Sequence, residues 1–333
     1  MDAIEQQLLT IAGSQSISSV EEVQSLWSGY GAIKRYRFDG GELPSLIVKH
    51  VTLPDDIAHP RGWNTNRSHE RKVRSYQVET NWYKRFAAHC DDYCHVPRTF
   101  PIDESKLDPD SEYLIILEDL DAVGFPRRFD SLTYQQMQPC IQWLAYFHAR
   151  FMGVQPQGLW PSGTYWHLET RPDELDALDD LALKRAAGAI DQKLRSSTFQ
   201  TLLHGDAKLA NFCFSEDGAK VAAVDFQYVG AGCGMKDLAY FIGSCLYEDD
   251  CEKYETALLN DYFLALADAL DRYSAMHSAR YSVQEIEASW RPLFKYAWAD
   301  FHRFVKGWSP GHWKINSYSE RLSKEVVDEL NGS

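Results

Sequence analysis

His204-Gly205-Asp206 is followed by Asn211, and the apolar stretch from Val221 to Val224 then delivers Asp225, Phe226 and Gln227. The pattern is H-x-D-x-x-x-x-N, then a second aspartate at a strand end. Phosphoryl transfer asks for such parts. A carboxylate must hold the acceptor hydroxyl in line and take its proton, and oxygen ligands must fix a divalent cation on the phosphates. Asp206 suits the first role, and Asn211 and Asp225 suit the second. Apolar segments on both sides bury the flanking backbone and aim the loop, which an ordinary surface loop does not require.

With these residues the chain resembles the aminoglycoside phosphotransferase and choline kinase superfamily, and within it the ecdysteroid-kinase-like group. The resemblance covers nearly the whole chain. Protein kinases carry H-R-D-L-x-x-x-N and D-F-G at the equivalent places. Gly205, and the lack of an A-P-E after Asp225, point away from protein substrates. The resemblance implies an α+β, protein-kinase-like bilobal fold, ATP and Mg2+, and the hydroxyl of a small molecule as acceptor.

It also implies particular residues. A lysine on the third strand is expected, and Lys49 stands in Ile47-Val48-Lys49-His50. A glutamate on the following helix would hold its ammonium in place; Glu79 matches, with Glu70 a weaker competitor. Gly29 and Gly31, in Ser28-Gly29-Tyr30-Gly31, would cover the phosphates. Lys34 stands where a third glycine would complete G-x-G-x-x-G, and G-x-G also serves as a plain tight turn. Glu118-Asp119-Leu120 looks like the hinge, where the backbone of Glu118 and Leu120 would bind adenine. His204 is expected to bond backbone near Asp225, and Asp237 to brace the loop from a helix start. Lys208 either touches the transferred phosphate or is solvated.

Elements must position these groups. Strands are expected near residues 23–27, 32–38, 45–51, 98–102 and 113–117, with a hairpin at Asp39-Gly40-Gly41. A helix is expected over 71–89, with Val78, Trp82 and Phe86 on one face. From Tyr134 onward helical periodicity dominates, interrupted by a strand-loop-strand island over 201–226. Pro292 either kinks a helix over 286–305 or starts its second part. The acidic run 173–180 suggests a solvated helix face. These elements divide the chain into a nucleotide lobe, 1–117, a hinge, 118–122, and a catalytic lobe, 123–333.

The chain has 333 residues, 44% apolar and 25% charged, enough for a sizeable core. A net charge of −14 disfavours a nucleic-acid partner. The 7 scattered cysteines, without C-x-x-C, suit reduced thiols in the cytoplasm. His89, Cys90, Cys94 and His95 could meet in one loop, but their spacing matches no common zinc motif. The amphipathic, acidic N-terminus lacks a signal peptide's features, and no apolar stretch is long enough to span a membrane.

The acceptor is the least defined part. Trp298 lies off the helical stripe of Trp290, Leu293, Ala297, Phe301 and Phe304, with Asp300 nearby, and Trp308 flanks the turn Ser309-Pro310-Gly311. They either wall the acceptor site, where aromatic faces and a carboxylate suit a cationic or amphipathic molecule, or pack, with Asp300 paired to Arg303 on the helix surface. A nucleotide-binding scaffold without catalysis is the alternative to an enzyme; the presence of Lys49, Asp206, Asn211 and Asp225 favours the enzyme.

Overall fold

The computed structural model describes residues 3–26, 29–53, 66–108, 111–277 and 281–332. The chain opens with helix α1 (Ala3–Ala12), then strands β1 (Ile17–Ser25), β2 (Gly31–Phe38) and β3 (Ser45–Thr52), helix α2 (Asn66–Arg85), and strands β4 (Thr99–Phe100) and β5 (Glu112–Glu118). They form one antiparallel sheet in the order β1-β2-β3-β5-β4. β3 is central because its apolar residues bury on both faces. Leu8, Leu9 and Ala12 of α1 close one face over Phe38, Leu46, Val48, Leu114 and Ile116.

β1 begins at Ile17, well before the expected 23–27. Its residues are almost all exposed, so no hydrophobic alternation marks it; pairing with β2 from Ile17↔Phe38 to Ser25↔Ala32 makes it a strand. Trp27 and Ser28, assigned to the strand end and the glycine turn, lie outside the described residues, as does most of the polar segment after β3. α2 starts several residues before the expected 71.

Helices then take over: α3 (Tyr134–Arg150), α4 (Pro172–Asp176) and α5 (Leu181–Arg195). Two short pairs follow from strands β6 (Thr201–Leu203), β7 (Phe212–Phe214), β8 (Val221–Ala223) and β9 (Gly230–Gly232), with β6 beside β9 and β7 beside β8. The chain ends in α6 (Met235–Cys245), α7 (Glu248–Arg272), α8 (Val283–Trp290), α9 (Phe294–Trp308) and α10 (Ser317–Gly332). A capping box of Thr133 and Gln136 starts α3. Pro292 sits in a single tight turn that separates α8 from α9. The acidic run is not one solvated face. Glu174 is buried against Arg171, and Asp180 caps α5 by accepting from the Leu183 N–H at 3.0 Å. No helix among the described residues is long and apolar enough to cross a membrane.

Stacked rings join the two halves. Trp82 of α2 lies on Phe226, with centroids 4.7 Å apart and planes 14° from parallel, and both are fully buried. The stack ties the helix carrying Glu79 to the hairpin carrying Asp225.

α9 is buried almost all round, which explains a charged cluster inside the helical half. Asp300 bonds Arg303 at 2.7 Å, Lys236 at 3.2 Å and the Trp166 indole N–H at 3.1 Å. Burial alone would raise its pKa, but Lys236 and Arg303 hold it down at about 2. Asp300→Ala should therefore cost about 3–5 kcal/mol, because two buried cations lose their partner. Urea denaturation checks this, and a loss under about 1 kcal/mol contradicts it. Because the folded pKa lies below the unfolded one, the wild-type contribution is present above about pH 4 and is lost as pH falls towards about 2.

Candidate active site

The loop after β6 is held by one carboxylate. Asp237, in the first turn of α6, is fully buried. Its Oδ2 accepts from the His204 N–H at 2.6 Å and its Oδ1 from the Gly205 N–H at 3.0 Å. His148 Nε2 of α3 lies 3.2 Å from Oδ2. His204 extends the brace: Nδ1 accepts from the Asp206 N–H at 3.2 Å, so Nε2 carries the proton given to the Val224 carbonyl at 3.0 Å. Burial lowers the His204 pKa and keeps the ring neutral. Gly205 has φ +83°, and a Cβ there would sit 2.0 Å from the Tyr228 carbonyl oxygen. No side chain fits, so the arginine of H-R-D has no room here.

Asp206 is buried, and Asn211 and Lys208 aim it. The Asn211 amide donates to the Asp206 carbonyl at 2.7 Å and to Oδ2 at 3.1 Å; the Lys208 ammonium reaches Oδ2 at 3.0 Å. Oδ1 is buried and has no hydrogen-bond partner among the described residues. Burial raises the Asp206 pKa, with Lys208 opposing. A buried acceptor without a satisfied partner, on a residue that lines a cavity beside the Tyr240 hydroxyl, is unusual and points to a group that arrives from outside.

Asp225 follows β8 at φ +69°, a left-handed conformation that aspartate tolerates better than most residues. Its side chain is 35% exposed, and Oδ1 accepts from Gln227 Nε2 at 2.7 Å. Burial works to raise its pKa, but Lys49, Lys208 and Lys72 outweigh it and keep the carboxylate ionised. Lys49 sits on β3 between Ile33 and Ile115. It meets Glu79 at 2.6 Å and Asp225 at 3.8 Å, and these carboxylates keep its ammonium charged despite burial. Glu70, the competitor, is exposed on α2. Lys72 is not marked by the sequence motifs. Its ammonium donates to Gln227 Oε1 at 2.9 Å, and burial beside Lys49 pushes its pKa down to about 8.

Part of this set edges a cavity of about 510 Å³, with Lys49, Glu79 and Asn211 set behind its lining. Its lining includes Asp206, Lys208, Asp225 and Lys72, with Tyr165, Tyr240, Phe301, Trp308 and Lys314 on the helical side. Trp308 belongs to this wall, stacked 9° from parallel on Phe304. Trp298 and Asp300 do not, and their assignment to the acceptor is corrected. Trp298 is buried, donating to Ser319 Oγ at 3.0 Å and packed against Tyr318. Asp300 is wholly engaged in its buried cluster, not paired with Arg303 at the surface. Phe301, assigned to the core, is buried there with Trp166, Tyr240 and Phe304 and also edges the cavity.

Residues 164–275 match the model of the ecdysteroid kinase-like family. The match spans the braced loop, Asp225 and Asp237. No curated protein matches the chain in sequence. Among solved structures, an amicoumacin kinase in complex with AMP-PNP, Ca2+ and Ami is similar with a TM-score of 0.56 at 13% identity, covering 98% of this chain and 93% of that one. An ethanolamine kinase from Plasmodium vivax gives 0.52 at 10% identity, over 97% and 87%. A microcompartment-associated aminopropanol kinase gives 0.50 at 15%, over 99% and 94%. At such identities the likeness carries the fold.

Within this kinase-like fold the two glycines differ. Gly31 opens β2 at φ +120°, and a Cβ there would meet the His50 carbonyl oxygen at 2.1 Å, so strand packing already requires it. Gly29, at φ +77°, faces open space. At the expected hinge, Glu118 pairs with Leu46, and its side chain turns to a separate groove shared with His95 and Arg98. Leu120 packs on Phe125, Cys213 and Ala222, beside Val224. Asp119 between them had no side-chain role in the sequence; its carboxylate takes Arg35 Nε at 2.7 Å and Ser45 Oγ at 2.7 Å, tying this stretch to β2 and β3.

Asp237→Asn keeps size but can accept only one of the two loop N–H bonds. It should cost about 1–3 kcal/mol, the penalty for an unsatisfied buried donor. Hydrogen exchange at His204 and Gly205 should quicken by more than global unfolding explains; unchanged exchange at both amides would show that the brace is dispensable.

Proposed function

We propose that the protein is an ATP- and Mg2+-dependent phosphotransferase that moves the γ-phosphate of ATP to a hydroxyl of a small molecule. The observation that carries this reading is Asp206, a cavity-lining carboxylate with a buried, unpartnered Oδ1, beside an ionised Asp225 ringed by lysines. The similar amicoumacin kinase was solved with AMP-PNP and Ca2+, which supports a nucleotide and a divalent cation in this fold.

Residues 1–117 would form the nucleotide lobe, 118–122 the hinge and 123–333 the catalytic lobe. Adenine would lie against the backbone of Glu118 and Leu120, with Gly29 and Gly31 above the phosphates. Lys49, fixed by Glu79, would pair with phosphate oxygens. The donor set fits magnesium: Asp225 offers an anionic oxygen and Asn211 an amide oxygen, both hard ligands. Among the described residues no group of three or more His, Cys, Asp or Glu could hold a metal alone, so phosphate oxygens would complete the shell. The bound ion would neutralise charge on those oxygens.

Asp206 takes the proton. Its Oδ1 receives the acceptor O–H while Asn211 and Lys208 hold Oδ2. As the acceptor oxygen bonds to phosphorus, the bond to the β-phosphate oxygen breaks, ADP leaves, and the proton rests on Asp206. A pKa raised by burial makes this carboxylate a better base than a free aspartate.

The direct test is purified protein with ATP, Mg2+ and a panel of alcohols, read as phosphate gained by mass. Nucleotide binding without transfer to any alcohol would favour the scaffold. Asp206→Asn should lower transfer by about 100-fold or more while keeping nucleotide affinity; wild-type turnover in that variant removes Asp206 from the chemistry.

Lys72 gives a pH signature. A phosphate ligand favours its charged form, so ATP affinity should weaken as pH rises through about 8. Lys72→Met should flatten that limb in a fluorescent-nucleotide titration, whereas Lys314→Met should keep it. An identical limb in Lys72→Met would assign it elsewhere.

A further inference from the structure

The cavity is charged unevenly. Its carboxylates are Asp206, occupied as the base, and Asp225, occupied as the metal ligand. Its cations are Arg71, Lys72, Arg171, Lys208 and Lys314. Lys208 is engaged by Asp206, Lys72 lies beside Asp225, and Arg171 is paired with Glu174 at 3.1 Å. Two remain. Arg71 bonds the Thr170 carbonyl, and among the described residues it forms no ion pair. Lys314 likewise has no carboxylate partner among the described residues.

Lys314 follows α9 and carries its ammonium over ring faces, 4.9 Å from the Tyr240 centroid and 5.2 Å from that of Phe301. Burial pushes its pKa down to about 8, the mark of a cation short of counter-charge. The ammonium is close enough to Asp206 to feel its charge, and the two residues line one cavity. Around it the rings of Tyr165, Tyr240, Phe301 and Trp308 wall the cavity. Tyr165 meets Tyr240 edge to face at 5.6 Å. Thr164, just before it, is held at φ +95°, a costly conformation for a β-branched residue and of the kind found where a side chain must be delivered to a site.

An aromatic wall with an unpaired cation and, among the described residues, no lining carboxylate beyond the two in use is the wrong environment for an ammonium-bearing alcohol. Like charge would repel it, and nothing on this wall would pair with it. Resting on the phosphotransferase reading, we propose that the acceptor is an aromatic or polycyclic alcohol bearing an anionic group, its ring body against Tyr165, Tyr240, Phe301 and Trp308 and its anion at Lys314.

The test uses three alcohols on one scaffold that differ in charge: hydroxymethyl-naphthoate, its primary amide and the matching aminomethyl compound. Transfer from ATP is read by mass, and binding separately by naphthalene fluorescence. The naphthoate should exceed the amine in kcat/KM by about 10-fold or more, with the amide between them. Lys314→Glu should reverse the order, and Lys314→Met, which keeps the stem over the rings, should collapse it. Equal use of all three, preference for the amine, binding of none, or an order untouched by Lys314→Glu overturns the proposal. Charge-ordered binding that Lys314→Glu reverses, with no phosphate moved to any probe, would instead keep the acceptor class and sink the phosphotransferase reading. Transfer to the amide or amine as fast as to the naphthoate would do the opposite.

Discussion

Everything in the site hangs on two hydrogen bonds to one buried carboxylate. Asp237 takes the N–H groups of His204 and Gly205, backbone donors that leave β6 and have no sheet partner to satisfy them. Unpaired and buried, each would cost more than a typical hydrogen bond contributes. The next residue back, Lys236, points into the Asp300 cluster on α9. One turn of α6 therefore fixes the loop on one side and the last long helices on the other. Asp206 inherits its position from that turn, and so does the wall carrying Phe301 and Trp308.

The sheet side is registered by packing rather than by charge. Trp82 and Phe226 lie flat against each other in the interior, and Trp143 and Phe147 pack around the pair. Phe226 follows Asp225 directly, and Trp82 lies one turn beyond Glu79. With the rings seated, Lys49 finds Glu79 and Asp225 together. Three lysines can crowd this cleft because Glu79, Asp225 and Asp206 share their charge and the Gln227 amide takes a hydrogen bond from Lys72.

Much of this was legible in the sequence, for a definite reason. Asp206, Asn211 and Asp225 sit on one short run whose flanks are apolar, so spacing alone implies convergence. The helical periodicity of α2 was equally plain, since it has one buried face; α3 shows the period in its first turns and is buried all round from Trp143 to Ala149. What escaped was built from distance. Tyr165, Tyr240, Lys314 and Lys72 come from four separate segments, and nothing local marks their meeting. β1 escaped because an exposed strand edge has no hydrophobic alternation. Trp298 and Asp300 were misplaced because a stripe divides inside from outside only on a helix with a wet face. α9 is covered on nearly every side, by α5, α6 and α10, so lying off the stripe meant a second interior rather than a cleft.

The left-handed backbone at Asp225 has a bearing on how such a chain can lapse. At φ +69° the replacements that sit most comfortably are asparagine and glycine, and both discard the negative charge. Bulkier or branched residues would strain the turn and advertise the damage as lost stability. Mutational drift here thus has a quiet exit: a descendant could surrender this carboxylate while its fold, its buried rings and its braced loop persist. Inactive relatives of this chain, where they exist, should keep the architecture and betray themselves at this one residue.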